Sequence, residues 1–532
     1  MLVIKEKIEQ GLTSLGIELG STRIKAVLID DDFQTIAQGN FEWENQLIDG
    51  YWTYSLEDVW TGIQISYQEM AREVKEKYGV VLERIGAIGF SAMMHGYMAF
   101  DQRDQLLVPF RTWRNATTSQ AAQELTQLFN YNIPERWSIA HLYQAMLNQE
   151  SHIQDVTFLT TLAGYVHWQL TGEKVLGIGD ASGMFPIDPA IKNYHQSMVA
   201  KFDEKRSADQ LPWTLSEVLP QVVLAGENAG FLTEAGAKRL DISGHLKAGI
   251  PFCAPEGDAG TGMTATNSVG KRTGNVSAGT SAFAMIVLEQ ELKAVYPEID
   301  LVTTPTGSLV AMVHTNNCSS EINAWMKLFK QVSDVIGAEI STNQLFEKLF
   351  SQALLGEVDC GGLLSYGYHS GENITKVPEG RPLFVRTPES QFNLANVMRM
   401  HLYSAFGALN IGMTILNQEN VQVDKIVGHG GIFKTPVVAQ QFLAAAMQAP
   451  VTVMSTAGEG GAWGIALLAA FTRIRNPDQP LSDFLNQQVF GNIKSTTIDP
   501  IERDVAGFER FIARYQKGLP IELSAIDHLA AL

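Results

Sequence analysis

Cysteine is scarce in this chain: Cys253, Cys318 and Cys360 are the only ones, and none forms a CxxC or other metal-ligand spacing. Three thiols build no disulfide framework for 532 residues and fit a reducing interior. Basic charge is also short, with 39 Lys and Arg against 57 Asp and Glu, a net charge of −18. That balance argues against nucleic acid as a partner. No run approaches the roughly 18 apolar residues of a membrane helix. Met1 to Gly11 is charged and lacks an apolar core of signal-peptide length, so a cytoplasmic protein is the expectation. There is no GxxxxGK[ST] motif, which disfavours a P-loop nucleotide site, and no basic helix-turn-helix segment. What is present is a globular composition, 45% hydrophobic and 18% charged, at a length that predicts two large domains.

The stretch on which the rest turns lies near the midpoint. Pro255-Glu256-Gly257-Asp258-Ala259-Gly260-Thr261-Gly262-Met263 sets the Asp258 carboxylate among small residues. Glycine lets another molecule approach the backbone closely, and an acid in that setting can accept the proton of a hydroxyl. A Gly-rich turn with a capping Asp has the same composition, so the flanking stretches must decide.

Toward the N-terminus, Leu15–Thr22 and Arg23–Asp30 are two β-rich runs joined by Gly20-Ser21-Thr22, a predicted hairpin. Its backbone N–H groups and hydroxyls can cradle phosphate oxygens; a hairpin with no ligand reads the same. A helix is predicted over 56–78, with Ser55 and Asp58 as a capping box and Gly79 as its stop. A strand over 85–90 runs into Ser91-Ala92-Met93-Met94-His95-Gly96, and strand-end loops in α/β folds collect ligands. His95 there suits a polyol contact and a satisfied core position equally. Arg111-Thr112-Trp113-Arg114-Asn115 joins an aromatic face to polar groups, which fits a sugar or a surface loop. A second helix is predicted over 156–170, and Gly177–Met184 reads as a Gly/Asp/Ser loop. Residues 190–245 reveal no chemistry.

Beyond Asp258 the opening pattern returns. Gly274–Ser281 leads into the apolar run Ala282–Leu288, and setting Gly279 over Gly20 aligns the two turns. Two such halves suggest a duplicated α/β unit with a phosphate chain gripped between them. A strand over 423–427 precedes Gly428-His429-Gly430-Gly431, and a helix over 436–447 follows, with Pro436 in its first turn. A strand over 451–454 precedes Ala457-Gly458-Glu459-Gly460-Gly461-Ala462-Trp463-Gly464 and an apolar helix to Phe471. These small residues let a flat ring lie against backbone, or let a buried helix pack through glycines. The stretch Ile501–Leu532 reads as a helix plus tail.

Taken in this order, from about Leu15 to about Phe471, these motifs resemble the FGGY carbohydrate kinases. Met94-His95-Gly96 and Asp180-Ala181-Ser182-Gly183 resemble in particular the D-xylulose kinases of that family. The resemblance implies an α/β fold of two ribonuclease-H-like (actin-like ATPase) domains flanking a cleft, with residues 1–255 on the sugar side and 256–532 on the ATP side. It implies transfer of the ATP γ-phosphate to a sugar hydroxyl, preferably the 5-hydroxyl of D-xylulose, with L-ribulose or another ketopentose as the alternative. Asp258 is then the general base. Met94, His95, Trp113, Arg114 and Asp258 meet the sugar. Gly20, Ser21, Thr22, Gly279 and Thr280 hold phosphates, Gly430 and Gly431 border adenosine, and Glu459 belongs to the nucleotide side. Glu18 and Asp258 meet Mg2+ that arrives with ATP. A homodimer with no nucleic-acid or membrane partner completes the expectation. Some positions depart from the family pattern: Glu18 stands where an Asp is usual, and Met93 where a Gln precedes Met-His. Asn115 stands near a usual Asp, and Ala259 where xylulose kinases often carry Asn; the Asp-Ala start is closer to ribulose kinases. Actin-like proteins also include chaperones and sugar-responsive regulators. The Met-His-Gly loop and Trp cluster argue against the first, and the lack of a DNA-binding segment against the second.

Overall fold

The apolar run from Leu15 folds into the expected hairpin: β1 (Ser14–Leu19) pairs antiparallel with β2 (Arg23–Ile29), Glu18 opposite Lys25. β3 (Thr35–Glu42) adds antiparallel to β2. α1 (Leu56–Tyr78) then starts where Ser55 Oγ accepts the Asp58 N–H at 3.0 Å and ends at Gly79. Its buried face, Val59, Ile63, Tyr67, Met70 and Val74, packs on β2 and β3. β4 (Ala87–Ala92), buried throughout, runs parallel to β1, and β5 (Glu256–Gly257) parallel to β4, for a strand order β5-β4-β1-β2-β3. The apolar helix Gly460–Ile474 packs on β1 and β4. Three parallel strand ends therefore lie side by side, with Glu18 level with Ser91 and Ser91 level with Glu256.

The computed structural model describes residues 2–207, 210–456 and 459–530; Ala457 and Gly458 of the predicted small-residue loop, and Ala531 and Leu532 of the tail, lie outside them. The chain forms two compact units. The first comprises Met1–Val269, Asp300–Val310 and Glu459–Asn492; the second comprises Gly270–Ile299, Ala311–Gly458 and Ile493–Leu532. Among the described residues, no helix is long and apolar enough to cross a membrane.

The second unit repeats the strand plan. β6 (Thr273–Ala278) pairs antiparallel with β7 (Ala282–Val287), and β8 (Leu309–Thr315) lies beside β7. β9 (Lys425–His429) runs parallel to β6, and β10 (Val451–Met454) parallel to β9; β11 (Ser495–Ile498) closes antiparallel to β10. The order β10-β9-β6-β7-β8 copies β5-β4-β1-β2-β3, so the two aligned hairpins belong to one plan used twice.

Three expectations shift. The helix predicted over 156–170 is a strand, Phe158–Thr160, followed by α2 (Leu162–Thr171). Thr161 divides them, its hydroxyl accepting the Gly164 N–H at 3.3 Å and so setting the helix start. The Gly/Asp/Ser loop contains one helical turn, α3 (Ile178–Ala181). The helix after Pro436 begins at Val438, because Val437 takes a positive φ of 72°.

Buried charge ties the second unit together. Arg399, on the helix Leu394–Gln418, pairs at 2.6 Å with Asp504 of the C-terminal helix Glu502–His528, and both side chains are buried. Gln441 donates to the other Asp504 oxygen at 2.6 Å. Removing one partner leaves a buried charge uncompensated. Arg399→Met should therefore lower unfolding free energy by about 3–5 kcal/mol in urea titration, and adding Asp504→Leu should restore much of that loss.

Candidate active site

Four carboxyl groups gather in the first unit around the C-terminal ends of β1, β4 and β5: Glu18, Asp180, Glu256 and Asp258. Asp258 opens α4 (Asp258–Ala265), directly after β5. Backbone N–H groups, rather than cations, hold three of them. Glu18 Oε2 accepts the Ala462 N–H at 3.1 Å. Glu256 accepts those of Gly179 and Asp180 at 3.3 and 3.0 Å. Asp258 Oδ1 accepts those of Met94 and Ala259 at 3.1 and 3.0 Å. The fourth, Asp180, accepts a hydrogen bond from the Thr161 hydroxyl on Oδ2 at 2.6 Å, while its buried Oδ1 has no partner among the described residues. Gly461 leaves room for Glu18: a Cβ there would stand 2.2 Å from Glu18 Oε1, so the carboxylate would have to move aside.

Burial raises the pKa of all four, and a neighbouring carboxylate adds to the rise for three of them. Burial, then the Asp258 charge, pushes Glu18 up to about 7. Burial, then Asp258, pushes Asp180 up to about 7, and burial, then Asp180, pushes Glu256 up to about 8. Asp258 is open to solvent on one side yet closely surrounded on the others. That desolvation raises it above the usual carboxylate range, against the Met94 and Ala259 N–H groups and the Arg136 charge. An accessible carboxylate of raised basicity is what abstraction of a hydroxyl proton needs.

The Met94-His95 loop lies against this acid through the Met94 N–H. His95 takes a positive φ of 71°, is buried, and stacks on Trp137 with ring centroids 6.3 Å apart. Its Nδ1 donates to Gly183 O at 3.3 Å, which leaves Nε2 as an acceptor. Burial and the Arg136 charge hold the ring neutral, its pKa well below the ordinary value. Trp113 is 38% exposed, and Arg114 lies over the Trp52 ring at 3.7 Å while donating to Asn45 at 3.2 Å. Neither Trp113 nor Arg114 bonds to Asp258 or His95 among the described residues. Asn115 is committed to the Trp52 and Thr112 backbone.

The hairpin turns offer backbone donors. Gly20 N–H is spent on Arg23 O, and Trp43 and Tyr54 tie down the carbonyls of Gly20 and Ser21. The N–H groups of the exposed Ser21 and Thr22 have no partner among the described residues. Glu459 precedes the helix Gly460–Ile474; Lys25 donates to its carbonyl at 3.4 Å and Thr35 to its carboxylate at 3.2 Å. In the second unit, Gly279–Thr280 follow β6 and Gly430–Gly431 follow its parallel neighbour β9. Gly430 has a φ of 107°, and a Cβ there would stand 2.3 Å from Ala278 O, which only glycine allows.

Sequence reasoning assigned no role to Glu256, Arg136 or Asp300. Glu256 was hidden by its own neighbour Asp258, and Arg136 pairs with Asp300 across a gap that leaves no local pattern.

The raised carboxyls make a stability prediction. A folded state that binds protons more tightly than the unfolded chain is most stabilised at low pH and loses that term as pH rises through the folded pKa. The denaturant midpoint of the first unit should fall between about pH 5 and about pH 8, and Asp180→Asn should flatten part of that slope.

Residues 13–264 match the N-terminal domain of the FGGY family of carbohydrate kinases, and residues 274–473 match its C-terminal domain. A xylulose kinase of Lactococcus lactis subsp. lactis is 21% identical over 97% of each chain. Another, of Haemophilus influenzae, is 21% identical over 84% of this chain and 91% of its own. The solved ligand-bound xylulose kinase from Lactobacillus acidophilus superposes with a TM-score of 0.77 at 16% identity, covering 97% of this chain and 99% of that one. These neighbours carry the actin-like two-domain fold, and the twice-used strand order agrees with it. Matched over both domains, this chain belongs to the FGGY family of carbohydrate kinases, phosphotransferases acting on sugars.

Proposed function

We propose that this chain transfers the γ-phosphate of ATP to the 5-hydroxyl of D-xylulose. The observation that carries this reading is Asp258, a carboxylate of raised basicity held open beside the Met94-His95 loop. Similarity to xylulose kinases over nearly the whole chain supports the choice of sugar.

In this reading Asp258 accepts the proton of the attacking hydroxyl, and its bond from Met94 N–H fixes the carboxylate while the sugar binds. Neutral His95 accepts a sugar hydroxyl at Nε2, and Met94, Trp113 and Arg114 supply further sugar contacts. The N–H groups of Ser21 and Thr22, without a partner among the described residues, meet phosphate oxygens, and Gly20, with no Cβ, lets those oxygens approach the turn. Gly279, Thr280, Gly430, Gly431 and Glu459 take the remaining nucleotide contacts. Mg2+ bound with ATP supplies charge neutralisation on the transferring group. Glu18 and Asp258 fit such an ion, since both are oxygen ligands that no Lys or Arg ion-pairs among the described residues.

D-Xylulose should give the highest kcat/KM for ADP release in a panel with L-ribulose, D-ribulose, L-xylulose and glycerol; preference for another ketose would discard the sugar and keep the kinase. Asp258→Asn should lower kcat by about 10²–10⁴-fold. Gly461→Ala should displace Glu18 and raise the Mg2+ concentration for half-maximal rate by about 10-fold or more.

A further inference from the structure

We propose that Arg136 is a substrate-positioning residue: braced by Asp300, its guanidinium donates hydrogen bonds to the sugar beside His95, and the near-neutral Arg–Asp pair selects an uncharged ketose over a sugar acid. The inference rests on the sugar-kinase reading.

The placement is fixed by backbone. Gly96 N–H donates to Arg136 O at 3.1 Å, and Ser138 Oγ donates back to Gly96 O at 2.5 Å. Trp137, the next residue, lies on the His95 ring. Arg136 is thus stapled to the loop that supplies Asp258 with its Met94 donor. Its charge reaches both members of the site, opposing protonation of His95 and favouring the Asp258 carboxylate.

The guanidinium itself is half spent. Nη2 bonds Asp300 Oδ2, and Asn132 donates to Asp300 Oδ1 at 3.3 Å. Nε and Nη1 have no partner among the described residues, and the side chain stays 24% exposed. A guanidinium serving only as an internal tie would commit its planar fork more fully. Here a rigid donor remains open on a residue whose backbone is tied to the His95 loop and whose charge reaches the His95 ring. Ketose carbonyl and hydroxyl oxygens need such a donor–acceptor pair. An unpaired guanidinium would instead favour carboxylate or phosphate; Asp300 cancels that preference.

The test uses the full-length wild type with Arg136→Lys, Arg136→Met and Asp300→Asn, assayed on D-xylulose and on D-xylonate, the corresponding sugar acid. Readouts are kcat, sugar KM, ATP KM and Tm. Both Arg136 variants should raise the D-xylulose KM by about 10-fold or more, with ATP KM unchanged and Lys recovering less than full affinity. Asp300→Asn should shift the kcat/KM ratio toward D-xylonate by about 10-fold. If Arg136→Met does not fold, Arg136→Lys and Asp300→Asn carry the test alone. A wild-type sugar KM in the Arg136 variants, or parallel changes in sugar KM, ATP KM and Tm, would overturn the proposal. An unmoved acid-to-ketose ratio in Asp300→Asn would overturn its selectivity. A wild type that turns over no sugar would instead bring down the kinase reading, and this inference with it.

Discussion

Carboxyl groups buried at close quarters, with no Lys or Arg ion-paired to them among the described residues, govern the first unit. Glu18, Asp180, Glu256 and Asp258 converge because three parallel strands end level with one another, and strand register leaves no freedom to disperse them. Backbone donors compensate. Glu18 faces the first turn of the helix Gly460–Ile474, and Asp258 opens α4, where unpaired N–H groups favour anions. The compensation is partial, so the acids are desolvated and raised. Perturbed carboxyls of this kind cluster at functional sites because the same desolvation that destabilises the charge makes it a better base.

The two units show what is scaffold and what is chemistry. Both use the same strand order and the same Gly-Ser/Thr turn after the first hairpin strand. Glu18, two residues before Gly20, corresponds to Ser277 before Gly279, and Ser91 corresponds to His429. The acids belong to the first copy only. The second keeps the turn and its close backbone approach at Gly430 without a carboxylate in the equivalent place. One plan thus serves two purposes once its strand-end residues diverge.

Much of this was legible in the sequence because it is local. Apolar runs flanking Gly20 and Gly279 announce hairpins, Ser55 and Gly79 bracket a helix, and the glycines around Asp258 mark a close approach. What stayed hidden is set by register and distance. Glu256 became a ligand of the Gly179 and Asp180 N–H groups only when β5 met β4. Arg136 met Asp300 across 164 residues, and nothing near either one signals the other. Phe158–Thr160 read as helix because the apolar pattern of α2 begins just after it, and only the hydroxyl of Thr161 separates the two.

The first unit is discontinuous: its last segment, Glu459–Asn492, follows most of the second unit in the chain. That segment supplies the helix covering β1 and β4 and the N–H that holds Glu18. On a ribosome, the early strands must wait roughly 20–90 s for it to emerge. A nascent chain therefore carries Asp258 long before Glu18 is seated. A fragment cut short of that helix lacks both the cover over β1 and β4 and the donor that seats Glu18.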